Sequence, residues 1–156
     1  MITTIDVETS YQKTEHGGMD PSPFNPQNIL VSIGINDEYY FTNHTERIDE
    51  GCYHKIQKIL DETKLLIGHN LKFDLSWLLE SGFKYDGNVY DTMIGEYILN
   101  RGIRKSLTLQ MCCQRRKIGA KDDRIKEWMD RGISFENIPA DIVEEYGKID
   151  VAITRK

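Results

Sequence analysis

Two carboxylates separated by one residue, Asp6 and Glu8, come at the end of a short apolar, β-branched segment near the N-terminus. Side chains alternate along a β-strand, so both carboxylates are expected to point to the same side. A D-x-E sequence at the end of a strand is also common as a solvated turn, so the pair acquires meaning only together with other groups.

A second group lies at the start of a predicted helix. Asn70 and Asp74 are four residues apart and therefore stack on one helix face. The simpler interpretation makes Asn70 an N-cap and Asp74 an exposed acid of the first turn. His69, beside them, is by the same reasoning a packed or solvated histidine rather than a metal ligand.

A third group, Tyr146 and Asp150, has the same four-residue spacing on a predicted C-terminal helix. An apolar stripe predicts one buried helix face, formed by Ile142, Tyr146, Ile149 and Ile153. On that reading Tyr146 belongs to the core and Asp150 is incidental. Gly147 costs a helix about 1 kcal/mol, which indicates a close approach of another backbone or of a ligand.

The elements that would position these groups alternate between strands and helices. Extended segments are predicted at residues 1–5, 29–35, 38–42, 64–67 and 89–90, and helices at residues 48–62, 71–81, 92–99, 107–116 and 140–154. Asp91 and Ser106 are predicted N-caps, and glycines and prolines predict a loop without regular structure at residues 9–28. Residues 117–137 are charged and less regular. This order predicts an α/β fold with a mixed central sheet flanked by helices.

The length of 156 residues predicts a single domain, residues 1–156. The last predicted helix reaches the end of the chain without a terminating glycine or proline. We therefore expect that helix to be truncated, as in a fragment of a longer polypeptide.

The charge distribution is uneven. The net charge is −5, but residues 101–131 carry ten basic and four acidic side chains, so that this segment is +6 and the remainder −11. An acidic body with one basic segment is compatible with a polyanionic partner held on one face.

The cysteine pattern and the hydropathy exclude several classes of protein. Three cysteines without C-x-x-C spacing predict reduced thiols in a cytoplasmic protein, and the histidines do not supply zinc-site spacing. Apolar runs stay below the roughly 18 residues that span a bilayer, and acids at positions 6 and 8 come too early for a signal peptide.

In chain order the three groups read D-x-E, N-x-x-F-D and Y-x-x-x-D. This set resembles the Exo I, Exo II and Exo III motifs of DEDDy 3′→5′ exonucleases, which have the DnaQ-like variant of the RNase-H-like fold. The resemblance covers residues 2–155 and is closest to the proofreading domain of family-A DNA polymerases, through NILVSIGI, IGHNLKFDLSWLL and DTMIGEYILN. The segment DPSPFNPQN is similar to phage members, which implies the cytoplasm of a host cell.

The resemblance implies a metal-dependent enzyme that releases nucleoside 5′-monophosphates from the 3′ end of single-stranded DNA. It implies two divalent ions, Mg²⁺ or Mn²⁺, with Asp6 bridging both, Glu8 and Asp150 completing the first site, and Asp74 holding the second through water. Tyr146 would orient the attacking water, since a phenol with a pKa near 10 is a poor base. The chemistry agrees, because four gathered acids repel one another until hard cations about 4 Å apart neutralise them.

The resemblance also implies substrate contacts at Thr9, Tyr11 and Asn70, although the small apolar wedge that the family commonly has near Tyr11 is missing. Trp128 is either a base-stacking residue or an aromatic packed on its own domain. Six basic residues either follow the phosphate backbone or form a solvated face: Arg101, Arg104, Lys105, Arg115, Arg116 and Lys117.

The sequence is also compatible with two other functions. An exoribonuclease of the RNase D type would have the same set of residues. A catalytically silent packing module is the third possibility, which the presence of all four acids disfavours. A DNA polymerase domain, either covalently linked or separate, is the expected partner of a proofreading enzyme.

Overall fold

A computed structural model of the protein describes residues 1–119 and 124–156. The strands are β1 (Ile2–Thr9), β2 (Gln12–Lys13), β3 (Met19–Asp20), β4 (Leu30–Ile35), β5 (Glu38–Phe41), β6 (Leu65–Gly68) and β7 (Asn88–Asp91). The helices are α1 (Cys52–Glu62), α2 (Leu71–Glu80), α3 (Thr92–Leu99), α4 (Leu109–Arg116), α5 (Arg124–Asp130) and α6 (Ala140–Thr154), with a 3₁₀ turn at Phe135–Asn137. In the described parts of the chain, no helix has the length and apolar character needed to cross a membrane.

Five strands form one mixed sheet in the order β5-β4-β1-β6-β7. The central strand β1 pairs antiparallel with β4 and parallel with β6, and β7 is parallel to β6. The pairing of β1 with β6 stops at Thr4 opposite Ile67, while β1 itself continues to Thr9. The second half of β1 therefore has a neighbour on one side only.

Helices cover both faces of this sheet, which confirms the predicted architecture. On one face, α1 and α2 pack against β1 and β6 around Ile5, Ile56 and Leu78. On the other face, α6, α5 and the 3₁₀ turn pack around Phe41 and Val143. Because both faces are covered, seven of the eight residues of β1 are buried or half-buried.

Two predicted boundaries near the N-terminal motif were wrong. The strand predicted at residues 1–5 runs on through Asp6 and Glu8 to Thr9, because pairing with β4 continues through both residues. The loop predicted at residues 9–28 contains regular structure after all, the small antiparallel sheet of β2 and β3. Its turn is closed by Gly17 at φ 77°, a conformation that glycine adopts without strain.

Three helix predictions also need correction. Helix α1 begins at Cys52 instead of residue 48, because Gly51 precedes it in the left-handed region at φ 67°. Helix α4 is capped by Thr108 and not by Ser106, since the Thr108 side chain accepts the Met111 N–H. The segment predicted to be less regular contains α5 and the 3₁₀ turn, with its residues 120–123 lying outside the described ranges.

The close approach predicted at Gly147 is present, but its partner is a side chain of the sheet and not another backbone segment. A Cβ atom on Gly147 would lie 2.5 Å from Oη and 2.8 Å from Cζ of Tyr39. The Tyr39 ring cannot easily retreat, because it is buried, bonded to the Ser32 hydroxyl at 2.8 Å and in edge contact with Phe41.

We therefore expect Gly147→Ala to lower the free energy of unfolding by about 1–3 kcal/mol, the usual cost of overpacking, despite the better helix propensity of alanine. Gly95→Ala in α3 is the matched control, because its Cβ would meet the hydroxyl of Tyr90, a half-exposed side chain that can turn away. Urea denaturation of both variants measures the difference. A Gly147→Ala protein as stable as the Gly95→Ala protein would contradict the packing account.

Candidate active site

Three carboxylates from opposite ends of the chain meet on one face of the sheet. Asp6 and Glu8 point from β1 toward α6, and α6 brings Asp150 against them. One carboxylate oxygen of each residue lies within 4.8 Å of the others. Asp6 is half-buried, whereas Glu8 and Asp150 are 7% and 3% exposed. Oxygens at this spacing suit a small divalent cation, whose opposite ligands are about 4.2 Å apart.

The fourth acid, Asp74, reaches the same region from α2. It is 3% exposed, so the interpretation as an exposed first-turn acid was wrong. Its Oδ1 accepts the Val7 N–H at 3.0 Å, in the part of β1 where pairing with β6 has ended. Burial, and next the charge of Asp6, raise the pKa of Asp74 well above its usual range. Asp74 thus lies beside the three-carboxylate group, held by the backbone between Asp6 and Glu8.

A residue that the motifs do not contain, Asp91, fixes the start of α2. At the end of β7, its Oδ2 accepts the Leu71 N–H at 2.9 Å and its Oδ1 accepts the Asn70 N–H at 3.0 Å. Oδ1 also accepts the Met93 N–H at 2.9 Å, which confirms the predicted N-cap of α3. One carboxylate therefore caps two helices, and it holds the helix that carries Asp74.

Asn70 occupies the N-cap position of α2 without acting as the cap. Its backbone is left-handed at φ 65°, and its side chain makes no capping hydrogen bond. Because Asp91 takes over that role, the Asn70 side chain is left exposed at the surface. The interpretation of Asn70 as an ordinary N-cap was therefore wrong.

Tyr146 is 8% exposed on α6, one turn before Asp150. Burial is the main reason why the pKa of its phenol is raised, and the charges of Glu8, Asp150 and Asp6 add to the effect. A hydrogen bond to the Asp150 carboxylate acts in the same direction. The phenol is therefore neutral at physiological pH and can donate a hydrogen bond.

A cleft of 480 Å³ opens beside the acids, and Asp6, Asp150 and Asn70 line it. Its far wall is the segment before α4. His69 fixes that wall, because its Nε2 donates to the Leu107 carbonyl at 2.7 Å while its Nδ1 lies 2.9 Å from the Thr92 hydroxyl. His69 is thus a bonded histidine of the wall, as the simpler sequence interpretation held.

Of the three residues predicted to contact substrate, Asn70 lies on the border of this cleft. Thr9 is 7% exposed at the end of β1. Tyr11 is half-buried, and burial followed by the charge of Glu136 raises the pKa of its hydroxyl. The contacts at Thr9 and Tyr11 stay predictions.

Two other sequence candidates have partners within the domain. Trp128 packs on the core under α6, with the Arg131 guanidinium 5.4 Å from its ring centre, so the packed interpretation applies. Arg115 and Arg116 both bind Glu96, at 3.1 and 2.9 Å, and are therefore partly neutralised.

Comparisons with known proteins identify the family and the fold of this chain. A family model described as 3′-5′ exonuclease matches residues 11–156, a stretch that contains Asp74, Tyr146 and Asp150 and begins after Asp6 and Glu8. No curated protein matches the chain.

Two solved structures share the fold. One, described as the apo form of the nuclease, is 16% identical with a TM-score of 0.65, covering 99% of this chain and 68% of that chain. The other, a family B DNA polymerase from the hyperthermophilic archaeon Pyrobaculum calidifontis, is also 16% identical, with a TM-score of 0.60 over 99% of this chain and 23% of the polymerase. The mixed five-stranded sheet flanked by helices is thus an RNase-H-like nuclease fold, and the chain belongs to the 3′-5′ exonuclease family.

Proposed function

We propose that this chain hydrolyses the 3′-terminal phosphodiester bond of single-stranded DNA and releases nucleoside 5′-monophosphates, using two divalent metal ions. The observation that carries the proposal is the meeting of Asp6, Glu8 and Asp150 within 4.8 Å, with Asp74 beside them. Buried carboxylates at such distances are costly unless cations neutralise them. Carboxylate oxygens are hard ligands, and they suit Mg²⁺ and Mn²⁺.

The four acids would divide between two ion positions. Asp6 is the most accessible acid of the three-carboxylate group and is proposed to face both positions, with Glu8 and Asp150 completing the first. Oδ1 of Asp74 already accepts the Val7 N–H, so we propose that Asp74 would bind an ion at the second position through a water molecule. Bound ions would polarise the phosphate, lower the pKa of a water and stabilise the leaving oxygen.

The reaction needs one water and no further reactant. The water oxygen forms a bond to the terminal phosphorus, and the bond from that phosphorus to the 3′ oxygen of the preceding nucleotide breaks. The water loses a proton to solvent, and the leaving oxygen takes a proton from solvent and becomes the new 3′ hydroxyl. Tyr146, a neutral phenol, is proposed to hold the water in line by a hydrogen bond, because its raised pKa excludes it as the base.

DNA as the substrate, the DEDDy mechanism and a proofreading role beside a DNA polymerase all belong to the proposal. They are supported by the motif resemblance and by the basic segment on an otherwise acidic chain. An RNase D-like exoribonuclease is the second candidate, since the same acids serve that reaction.

The first prediction concerns activity and strand type. We expect the chain with Mg²⁺ to shorten a 5′-labelled single-stranded DNA from its 3′ end and to degrade RNA of the same sequence more slowly. Asp6→Asn should lower the rate by about a thousandfold or more, because it removes a ligand of both ions. Asp61→Asn, at an exposed position on α1, is the matched control. Faster degradation of RNA would favour the exoribonuclease. Absence of hydrolysis with both Mg²⁺ and Mn²⁺ would favour the catalytically silent module.

The second prediction concerns metal binding and pH. With no metal bound, the charged form of Asp74 destabilises the folded state, because the pKa of this carboxyl is higher in the folded than in the unfolded protein. The loss of stability begins near the pKa of the unfolded state, about 4, and grows until the pH has passed the pKa of the folded state. Asp74→Asn keeps an oxygen for the Val7 N–H. In EDTA this variant should therefore melt at a higher temperature than wild type at pH 8, and the difference should vanish near pH 4.

Calorimetry with added Mn²⁺ completes this experiment. Mn²⁺ should raise the melting temperature of the wild type, and raise that of Asp74→Asn less, because a ligand binding only the folded state stabilises it. An Asp74→Asn protein less stable than wild type in EDTA would show that Asp74 has a purely structural role.

The third prediction separates Tyr146 from the metal ligands. Tyr146→Phe should reduce kcat by about ten- to a hundredfold, the cost of a misplaced water, while the Mn²⁺-induced rise in melting temperature is retained. Tyr40→Phe is the control, because it removes a hydroxyl that bonds to Glu38 on β5. Equal turnover by Tyr146→Phe and wild type would refute the water-orienting role.

A further inference from the structure

A second cavity of 350 Å³ lies beside the cleft that holds the acids. Pro23 and Phe24 border it on the side of the loop between β3 and β4, and Asn70, Lys72 and Phe73 border it on the side of α2. Asn70 lines both this cavity and the cleft that contains Asp6 and Asp150. The two spaces therefore adjoin at one side chain.

The loop that carries Phe24 is held by its own polar side chains. Asp20 accepts hydrogen bonds from the Ser22 N–H at 3.1 Å and the Asn25 amide at 3.0 Å. The Asn28 amide donates to the carbonyls of Asp20 and Ser22, at 2.8 and 2.9 Å. The Trp77 indole of α2 donates to the Pro21 carbonyl at 3.1 Å and anchors the loop on the helix. The loop therefore presents Phe24 in a set position.

Phe24 is 73% exposed on this fixed loop. A single exposed aromatic residue is ordinary on a protein surface, so its exposure alone does not indicate a binding site. The surroundings of Phe24 point to a ligand, because the exposed residue Lys72 borders the same cavity. Within residues 1–119 and 124–156, the Lys72 ammonium makes no ion pair. An aromatic ring, a cation and the Asn70 amide beside a nuclease cleft match the base, phosphate and sugar of a nucleotide.

We propose that this cavity binds the nucleotide that precedes the 3′-terminal one, with Phe24 stacked on its base and Lys72 beside its phosphate. The inference rests on the proposed function, which puts the terminal phosphate at the acids. Because Asn70 separates the two spaces, a strand that ends in the first continues into the second. The pair of spaces thus makes the enzyme favour a strand over a mononucleotide ester.

The test compares two substrates in the presence of Mn²⁺. Thymidine 5′-(p-nitrophenyl phosphate) has no preceding nucleotide and occupies only the cleft with the acids, whereas single-stranded tetrathymidylate extends beyond it. Phe24→Ala should lower the ratio of kcat/KM for tetrathymidylate to kcat/KM for the ester by about fivefold or more, the lower range of base–aromatic stacking. The change should appear in KM.

Three variants make the result specific. Phe24→Trp should restore the ratio, and Phe24→Leu, which is apolar but cannot stack, should not. Tyr97→Ala removes an aromatic ring of α3 that is 55% exposed and borders neither space, and should leave the ratio at the wild-type value. Lys72→Met should reduce the slope of log KM against log salt by about 0.7, the loss of one phosphate contact on a single strand. An unchanged ratio in Phe24→Ala would overturn the subsite.

A binding measurement separates this inference from the proposed activity. Fluorescence anisotropy of 5′-fluorescein tetrathymidylate in EDTA reports the subsite without catalysis. There Phe24→Ala should raise Kd by about fivefold or more, and Phe24→Trp should return it to the wild-type value. Equal Kd values for Phe24→Ala and wild type would refute the subsite even if hydrolysis is found. Absence of hydrolysis with a raised Kd would refute the proposed reaction alone.

Discussion

The end of β1 concentrates like charges where water cannot screen them well, and the rest of the structure is arranged around that repulsion. Burial together with neighbouring charge raises the pKa of Asp74 and that of the Tyr146 phenol. The backbone N–H of Val7 and the phenol proton offset part of the cost, the first at Asp74 and the second at Asp150. The remainder is free energy that a divalent cation would release on binding, so the stability of the fold and the proposed chemistry depend on the same four acids.

The sheet creates this place by letting its strands end at different levels. β6 and β7 end together, with Gly68 opposite Asp91, while β1 runs on beyond its last pair with β6. On the side where β1 has no neighbouring strand, Asp74 of α2 accepts the Val7 N–H. Asp91 fixes where α2 begins. The acids therefore lie beyond the carboxyl ends of β6 and β7, and the carboxyl ends of parallel strands are where open α/β sheets commonly bind ligands.

The elements that carry the acids could be predicted from the sequence, because strand alternation, helix spacing and the Asp91 cap of α3 are local properties. The remainder depended on tertiary contacts. The second role of Asp91, on α2, follows from the parallel pairing of β6 with β7, which no local pattern encodes. Sequence reasoning detected a close approach at Gly147 but could not identify Tyr39, which lies 108 positions earlier. The small sheet of β2 and β3 was missed because turn residues surround it.

The two solved structures share this fold at 16% identity, so the architecture tolerates nearly complete replacement of its side chains. Because one fold can serve different activities, preference for particular substrates is expected to depend on parts that the common fold does not require. The loop after β3 is such a part. Its hydrogen bonds fix a backbone that carries an exposed aromatic ring, although nothing in the core needs that ring outside. A backbone that hydrogen bonds already hold loses little conformational entropy when a base stacks on the ring it carries, which supports the proposed nucleotide binding.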